Sequence, residues 1–199
     1  MELTTRRTIQ ITAILLIAAA VTQSIYTALY VAEIPPPRRL LWGGEALLFS
    51  ILAAFGGAAL VQAKRFSLGF SAITAAAVLN VVQVAVGLTL FGPFREAATA
   101  DPTLAPVAGA VVGFSFMVYN AAKTLLGFAA VIFGVARMNA GSKVLGGATV
   151  AVGAAAMLAN TIVMMAGIDG VFPSPIAGGT GVVATLLLGV CLLSVLEED

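Results

Sequence analysis

Two ionisable residues, Glu45 and Lys123, interrupt apolar stretches in which charged side chains are costly. A charge at the centre of a bilayer costs about 2.5 to 3.5 kcal/mol on insertion scales, so such residues are candidates for functional sites. Glu45 follows Arg39 by six residues, and Lys123 precedes Arg137 by fourteen. At 1.5 Å per residue, both lie about 9 Å below the same face of a ~30 Å hydrocarbon core. If the second and fourth apolar stretches are neighbours, the two charges can pair.

Uncharged polar side chains lie at a similar depth in other apolar stretches. Measured from the basic anchor of each stretch, Gln23, Gln83 and Asn160 lie ~24, ~27 and ~26 Å into the membrane, and Asn80 lies at ~22 Å. The opposite half of the membrane receives almost no polar side chains. This asymmetry predicts a polar cavity that opens outward above an apolar base. The candidate ligand-binding residues are Glu45, Lys123, Asn120, Asn80, Gln83, Asn160, Gln23 and Tyr119.

Three interpretations of this polar set stay open. Asn and Gln in membrane helices often only bond between helices, and a Glu45 and Lys123 network can be purely structural. Lys123 can also snorkel along its helix toward water. The second interpretation is a ligand or ion site, and the third is proton-coupled chemistry at Glu45 or a carbonyl-reactive Lys123.

The elements that position these residues follow from hydropathy. The 199-residue chain is 60% hydrophobic and 10% charged, with a mean hydropathy of +1.07, whereas soluble domains carry about a quarter charged residues. Spans of about 20 apolar residues predict transmembrane helices. We therefore expect an all-α integral membrane protein, a six-transmembrane-helix bundle with short loops in one polytopic domain, residues 1–199. The predicted spans are 9–31, 40–62, 68–91, 106–136, 144–168 and 176–196, separated by loops that include the stretch from Gly92-Pro93 to Pro102.

The loop charges predict the orientation of the chain. With the N-terminus in the cytoplasm, six Lys and Arg residues lie on that side and three on the other, which the positive-inside rule favours. Both termini are then expected in the cytoplasm, and Trp42, Tyr26 and Tyr30 fall near the outer boundary. Spans rich in alanine, glycine and valine suit a bacterial inner membrane.

Several classes of function are disfavoured by composition. The chain has no histidine, which removes the commonest ligand of zinc and haem and the usual general base, so we expect no metal and no cofactor. A net charge of +1 disfavours nucleic acid as a partner. The single Cys191 lies in an apolar run and is expected to be a small buried hydrophobe.

Small residues at four-residue spacing predict close packing of helices. They are Gly109 and Gly113 in the fourth span, and Gly181, Thr185 and Gly189 in the sixth. Since lipid gives no hydrophobic drive between helices, backbone approach over small residues supplies association energy. We expect these contacts within one chain. If they form an interface between copies, the sixth span is the better candidate.

These features favour a multi-pass membrane protein that binds or transports a small solute at the polar site. The alternative is an accessory or scaffolding subunit of a larger membrane complex. A membrane enzyme with a Lys123 Schiff base and Glu45 as counter-ion ranks third, and no catalytic residue is assigned. The expected partners are the lipid bilayer, a small-molecule ligand, and either a second copy or another membrane protein.

Overall fold

The computed structural model describes residues 3–167 and 174–195, and these residues are helical with no strand. The helices are α1 (Thr5–Val31), α2 (Arg38–Gln62), α3 (Ser67–Thr89), α4 (Phe91–Ala100), α5 (Ala105–Asn139), α6 (Lys143–Ala166) and α7 (Ser174–Val195). A 3-10 turn at Pro102–Leu104 precedes α5. Within the described residues, six helices are long and apolar enough to cross a membrane.

The six long helices begin and end within about one turn of the predicted spans. The exception is the predicted loop that begins at Gly92-Pro93, where the structure has the helix α4. Proline at this point does not stop the helix, because Pro93 lies in its first turn, where no backbone N–H is needed as a donor. The prediction of a loop here was wrong, and α4 connects α3 to the start of α5.

Five helices form a closed ring. In this ring α1 packs against α2 and α7, α2 against α3, α3 against α5, and α5 against α7. Helix α6 lies outside the ring, against α5 and α7, and α4 packs against α3 and α5. Odd-numbered spans and even-numbered spans run in opposite directions. We call the end that carries the start of α2 the Trp42 end, and the end that carries the start of α1 the terminal end.

An apolar core fills the ring toward the terminal end. Leu16, Leu52, Ile73, Leu126 and Phe133 are fully buried there with alanines from the same helices. The outer surface is apolar as well, with Val61, Val144 and Met165 each more than four-fifths exposed. Large exposed apolar surfaces are rare on soluble monomers. A chain that is apolar both inside and outside is suited to a lipid environment, which agrees with the prediction from hydropathy.

Helices α5 and α6 approach each other closely at Gly127 and Gly134 of α5 and at Gly146 and Gly153 of α6. We call these four residues the glycine seam. A Cβ built on Gly127 would lie 2.7 Å from the Gly153 carbonyl oxygen, and one on Gly146 would lie 2.6 Å from that of Gly134. Each glycine pair is thus in contact across the antiparallel helices. Any larger side chain would force the helices apart.

The predicted small-residue contacts are confirmed only in α7. A Cβ on Gly189 would lie 3.0 Å from the Ala13 carbonyl oxygen of α1, and one on Gly181 would lie 2.8 Å from Cδ of Lys123. Among residues 3–167 and 174–195, no atom of another helix lies within 4 Å of a Cβ built on Gly109 or Gly113 of α5. The described residues therefore show no close packing at these two glycines, which line a groove with the end of α6 instead.

Candidate functional site

Aromatic contacts fix the relative heights of α1, α2 and α3. The Trp42 ring lies 5.4 Å from the Tyr26 ring between centroids, and the indole packs so closely on Gly87 that a Cβ there would clash with it. Glu45 follows Trp42 by three residues, and Gln23 precedes Tyr26 by three. In antiparallel helices these two residues therefore lie at the same level, about one turn below the aromatic contact.

Lys123 of α5 reaches this level across the ring. Its side chain is fully buried, and its aliphatic stem lies against Gly181 of α7, whose missing Cβ leaves room for it. The Lys123 ammonium donates a hydrogen bond to Gln23 Oε1 at 2.5 Å. It also lies 5.2 Å from the centre of the Tyr119 ring, a cation–π contact. The ammonium is held by an amide and a ring face.

Glu45 is the acidic residue that interacts with Lys123, without direct contact between the two charged groups. The two groups are close enough to attract each other electrostatically, but no ion pair within 4.0 Å joins them in the described part of the chain. Helices α2 and α5 are not adjacent in the ring, because α3 lies between them on one side and α1 and α7 on the other. The premise that the second and fourth spans are neighbours was wrong, and the direct partner of Lys123 is Gln23.

The Glu45 carboxylate lacks a full set of donors. Only 4% of the residue is exposed, and Oε1 is buried without a hydrogen-bond partner. The Thr22 side chain lies beside the carboxylate, although its hydroxyl donates to the Ala19 carbonyl oxygen at 3.0 Å. A buried carboxylate oxygen without a donor is costly. We call Gln23, Glu45, Tyr119 and Lys123 the polar centre.

Aromatic side chains cover the polar centre at the Trp42 end. Trp42 is 8% exposed and packs between Tyr26 and Phe91, whose ring centre lies 5.9 Å away at a steep angle. The Arg38 guanidinium stacks over the indole at 4.9 Å. We call Tyr26, Trp42 and Phe91 the aromatic cover. It closes the polar centre in this conformation, whereas the sequence predicted a cavity open at this end.

Asn80 and Gln83 of α3 lie near the polar centre without a bond to it in the described residues. Asn80 is one turn below the level of Glu45 and shares its helical face with Gly87, on which Trp42 packs. Its amide donates to the Ala76 carbonyl oxygen, and its own Oδ1 is buried without a partner. Gln83 is half-buried, and its backbone carbonyl oxygen accepts a bond from Ser115 at 3.4 Å.

The other two predicted residues lie elsewhere. Asn160 joins α6 to α7, because its amide donates to the Ala177 carbonyl oxygen at 3.1 Å. Asn120 donates to the Phe116 carbonyl oxygen at 2.7 Å and lines a surface groove between α5 and α6. Equal depth did not bring these residues together, because α6 is outside the ring and Asn120 faces α6.

Two surface grooves lie at the Trp42 end, and neither is lined by Glu45 or Lys123. One, of about 370 Å³, lies between α4 and α5 and includes Phe91 and Arg95. The other, of about 490 Å³, lies between α5 and α6 and includes Gly109, Gly113 and Asn120.

Sequence reasoning missed the residues that shape the polar centre. Trp42 was predicted only as an anchor at the boundary, and Gly181 only as a packing residue. Gly87 gave a usable signal, since it lies seven residues after Asn80 and thus on the same helical face. Thr22 gave none, because a threonine in a membrane helix usually bonds to its own backbone.

The polar centre has unused hydrogen-bonding capacity of both kinds, donor and acceptor. An ammonium has three donors, and Lys123 uses one on Gln23, while Glu45 Oε1 still needs a donor. The fold and site thus define a six-helix protein of membrane type with a buried, incompletely bonded polar centre. Comparison with known proteins adds no identity, since no family model, no curated protein and no solved structure matches the chain.

Proposed function

We propose that the protein binds and transports a small polar solute at the polar centre, with access from the Trp42 end. Lys123 donates to an acceptor of the solute, and Glu45 Oε1 accepts from one of its donors. An ionised Glu45 and a protonated Lys123 leave the centre without net charge, so a net-neutral solute keeps the buried charges balanced. Sugars, amides and zwitterions have this character.

The observation that carries this proposal is the unpartnered Oε1 of Glu45 beside a fully buried Lys123. Two residues with a purely structural role gain most from a direct ion pair, which satisfies both groups at once. Here the lysine bonds to a neutral amide, and the carboxylate oxygen stays without a donor. A solute that bridges the two groups would satisfy both of them.

The setting we propose for this activity is a bacterial inner membrane with both termini in the cytoplasm. The supporting observations are the excess of Lys and Arg in the loops of that side and the apolar outer surface of the helices. The polar centre then faces the outside of the cell, behind the aromatic cover.

Native mass spectrometry from lipid nanodiscs tests the proposal. We expect the wild-type protein to retain a small molecule, and Glu45→Gln or Lys123→Met to release it. Glu96→Gln and Lys64→Met are matched controls, because they make the same chemical changes at exposed positions and should keep the molecule. Equal retention by the wild type, Glu45→Gln and Lys123→Met would refute the proposal.

A second candidate is an accessory subunit, which one observation favours. Gly109 and Gly113 present a small-residue surface on α5 with no described residue of another helix within 4 Å of a Cβ built there, and such surfaces let a second helix approach closely. A subunit of this kind should co-purify with another membrane protein in fixed stoichiometry. Gly109→Leu with Gly113→Leu should then release the partner and leave the polar centre unchanged.

A further inference from the structure

The groove between α4 and α5 combines one cation with a lining that is apolar except for Thr99, whose hydroxyl donates to the Arg95 carbonyl oxygen. Phe91, Phe94 and Ala98 come from α4, and Ala105, Ala108 and Val112 come from the start of α5. Arg95 also lines it, and among the described residues its exposed guanidinium has no hydrogen bond or ion pair. The acidic neighbour Glu96 is not among the lining residues. The groove therefore has an apolar trough and a positive group that needs a counter-ion.

The position of the groove restricts what can reach it. Helix α4 connects two membrane-spanning helices at the Trp42 end, so the groove lies near the membrane boundary. Phe91, Phe94, Arg95 and Ala98 are spaced by three and four residues, so they share the face of α4 that lines the groove, with the cation beside the aromatic rings. Acyl chains and headgroups are the molecules present at this depth. The volume of about 370 Å³ lies in the usual range for small-ligand sites.

We propose that this groove is a binding site for an anionic phospholipid, with the phosphate on Arg95 and an acyl chain along the apolar trough. A guanidinium is the side chain best suited to a phosphate, because its fork of donors matches two phosphate oxygens. A zwitterionic headgroup brings its own cation, which competes with Arg95 for the phosphate. The site is separate from the polar centre and does not depend on the solute proposed above.

The single tryptophan of the chain can report this binding. Phe91 lines the groove and is in ring contact with Trp42, so a lipid in the groove lies close to the indole. Bromine atoms on an acyl chain quench tryptophan fluorescence at short range. The full chain is reconstituted into vesicles of equal parts phosphatidylglycerol and phosphatidylcholine, with bromine on one lipid and then on the other.

We expect brominated phosphatidylglycerol to quench Trp42 more than brominated phosphatidylcholine does. A contribution of about 1 kcal/mol from one arginine near an anionic lipid corresponds to an about five-fold preference. Arg95→Gln should remove the preference. Gly109 lines this groove as well as the groove between α5 and α6, so Gly109→Leu fills the α5 side and should remove the preference without changing charge. Arg39→Gln is the matched control at the same end, outside the groove lining, and should keep the preference.

Several results would overturn the proposal. The first is equal quenching by both lipids in the wild type. The second is that Arg39→Gln loses the preference for phosphatidylglycerol as fully as Arg95→Gln does, which would indicate an effect of surface charge alone. The third is that Gly109→Leu keeps the wild-type preference, which would exclude binding in the trough. Relief of quenching by millimolar inorganic phosphate would show that phosphate alone occupies Arg95. Circular dichroism and gel filtration identify variants that fail to fold, and either Arg95→Gln or Gly109→Leu suffices for the test.

Discussion

The glycine seam and the polar centre are two places where α5 contacts other helices, and they are built in opposite ways. The seam brings α5 and α6 together through glycines with backbone against backbone. At the polar centre, α5 reaches across the ring with the long side chain of Lys123. The glycines of the seam have no side chains that could need a hydrogen-bond partner. At the polar centre, by contrast, Glu45 Oε1 is left without one. The difference separates a part that only has to pack from a part that has bonding capacity to spare.

The largest expected effect is the removal of one charge from the polar centre. Lys123→Met leaves the Glu45 carboxylate buried without the nearby cation, and leaving a buried charge uncompensated in this way costs about 3 to 5 kcal/mol. The double variant Glu45→Gln with Lys123→Met should recover much of this loss, because neither charge then remains uncompensated. The free energy of unfolding in SDS is compared for Glu45→Gln, Lys123→Met and the double variant. Strictly additive losses would contradict the electrostatic coupling of the two residues.

A methyl group in the glycine seam should have the next largest effect. Gly146→Ala places a Cβ 2.6 Å from the Gly134 carbonyl oxygen, and such overpacking costs about 1 to 3 kcal/mol. The neighbouring Gly147 has open space, so Gly147→Ala is a matched control that should be neutral or slightly stabilising. Thermal unfolding in detergent compares the two. A similar melting temperature for both would show that the seam does not hold α6 on the ring.

A substitution at Gly87, on which Trp42 packs, tests whether the aromatic cover closes the polar centre. Gly87→Ala places a Cβ in steric conflict with the Trp42 ring, so the indole must move away from α3. Since Trp42 is the only tryptophan, its emission reports the movement directly, and we expect a red shift as the ring meets a more polar environment. Gly44→Ala on α2 has open space and should leave the emission unchanged. An unchanged spectrum in Gly87→Ala would place the indole elsewhere.

The smallest expected effect concerns a residue that the sequence assigned to the site. Asn160 bonds α6 to α7 outside the ring, and such bonds between membrane helices average about 0.6 kcal/mol, with a maximum of about 1.7. Asn160→Leu should lower stability by this small amount and leave solute retention unchanged. Loss of the solute in this variant would extend the polar centre to α6 and weaken the contrast with the seam.

The hydropathy of the chain predicted the membrane-spanning helices, and the depth of each polar residue in the membrane predicted its level. Which helices contact each other could not be predicted from either. The six spans follow from long apolar runs, and the common level of Gln23 and Glu45 follows from counting residues from their anchors. Which helices touch depends on small-residue contacts, because lipid exerts no hydrophobic drive between helices. For this reason the adjacency of the second and fourth spans could serve only as a condition for pairing, and α2 and α5 do not meet that condition. The seven-residue spacing of Gly127 and Gly134, and of Gly146 and Gly153, is a signal that could have indicated the α5 and α6 contact.

The most direct test of the central claim is solute retention by the double variant Glu45→Gln with Lys123→Met. This variant removes both charges together and should keep the fold, so any loss of ligand reflects the site itself. Native mass spectrometry in nanodiscs should find the solute on the wild type and on the control Glu96→Gln with Lys64→Met, and none on the double variant. Retention of the same solute at the wild-type level by a folded double variant would contradict the account and leave Glu45 and Lys123 with a structural role only.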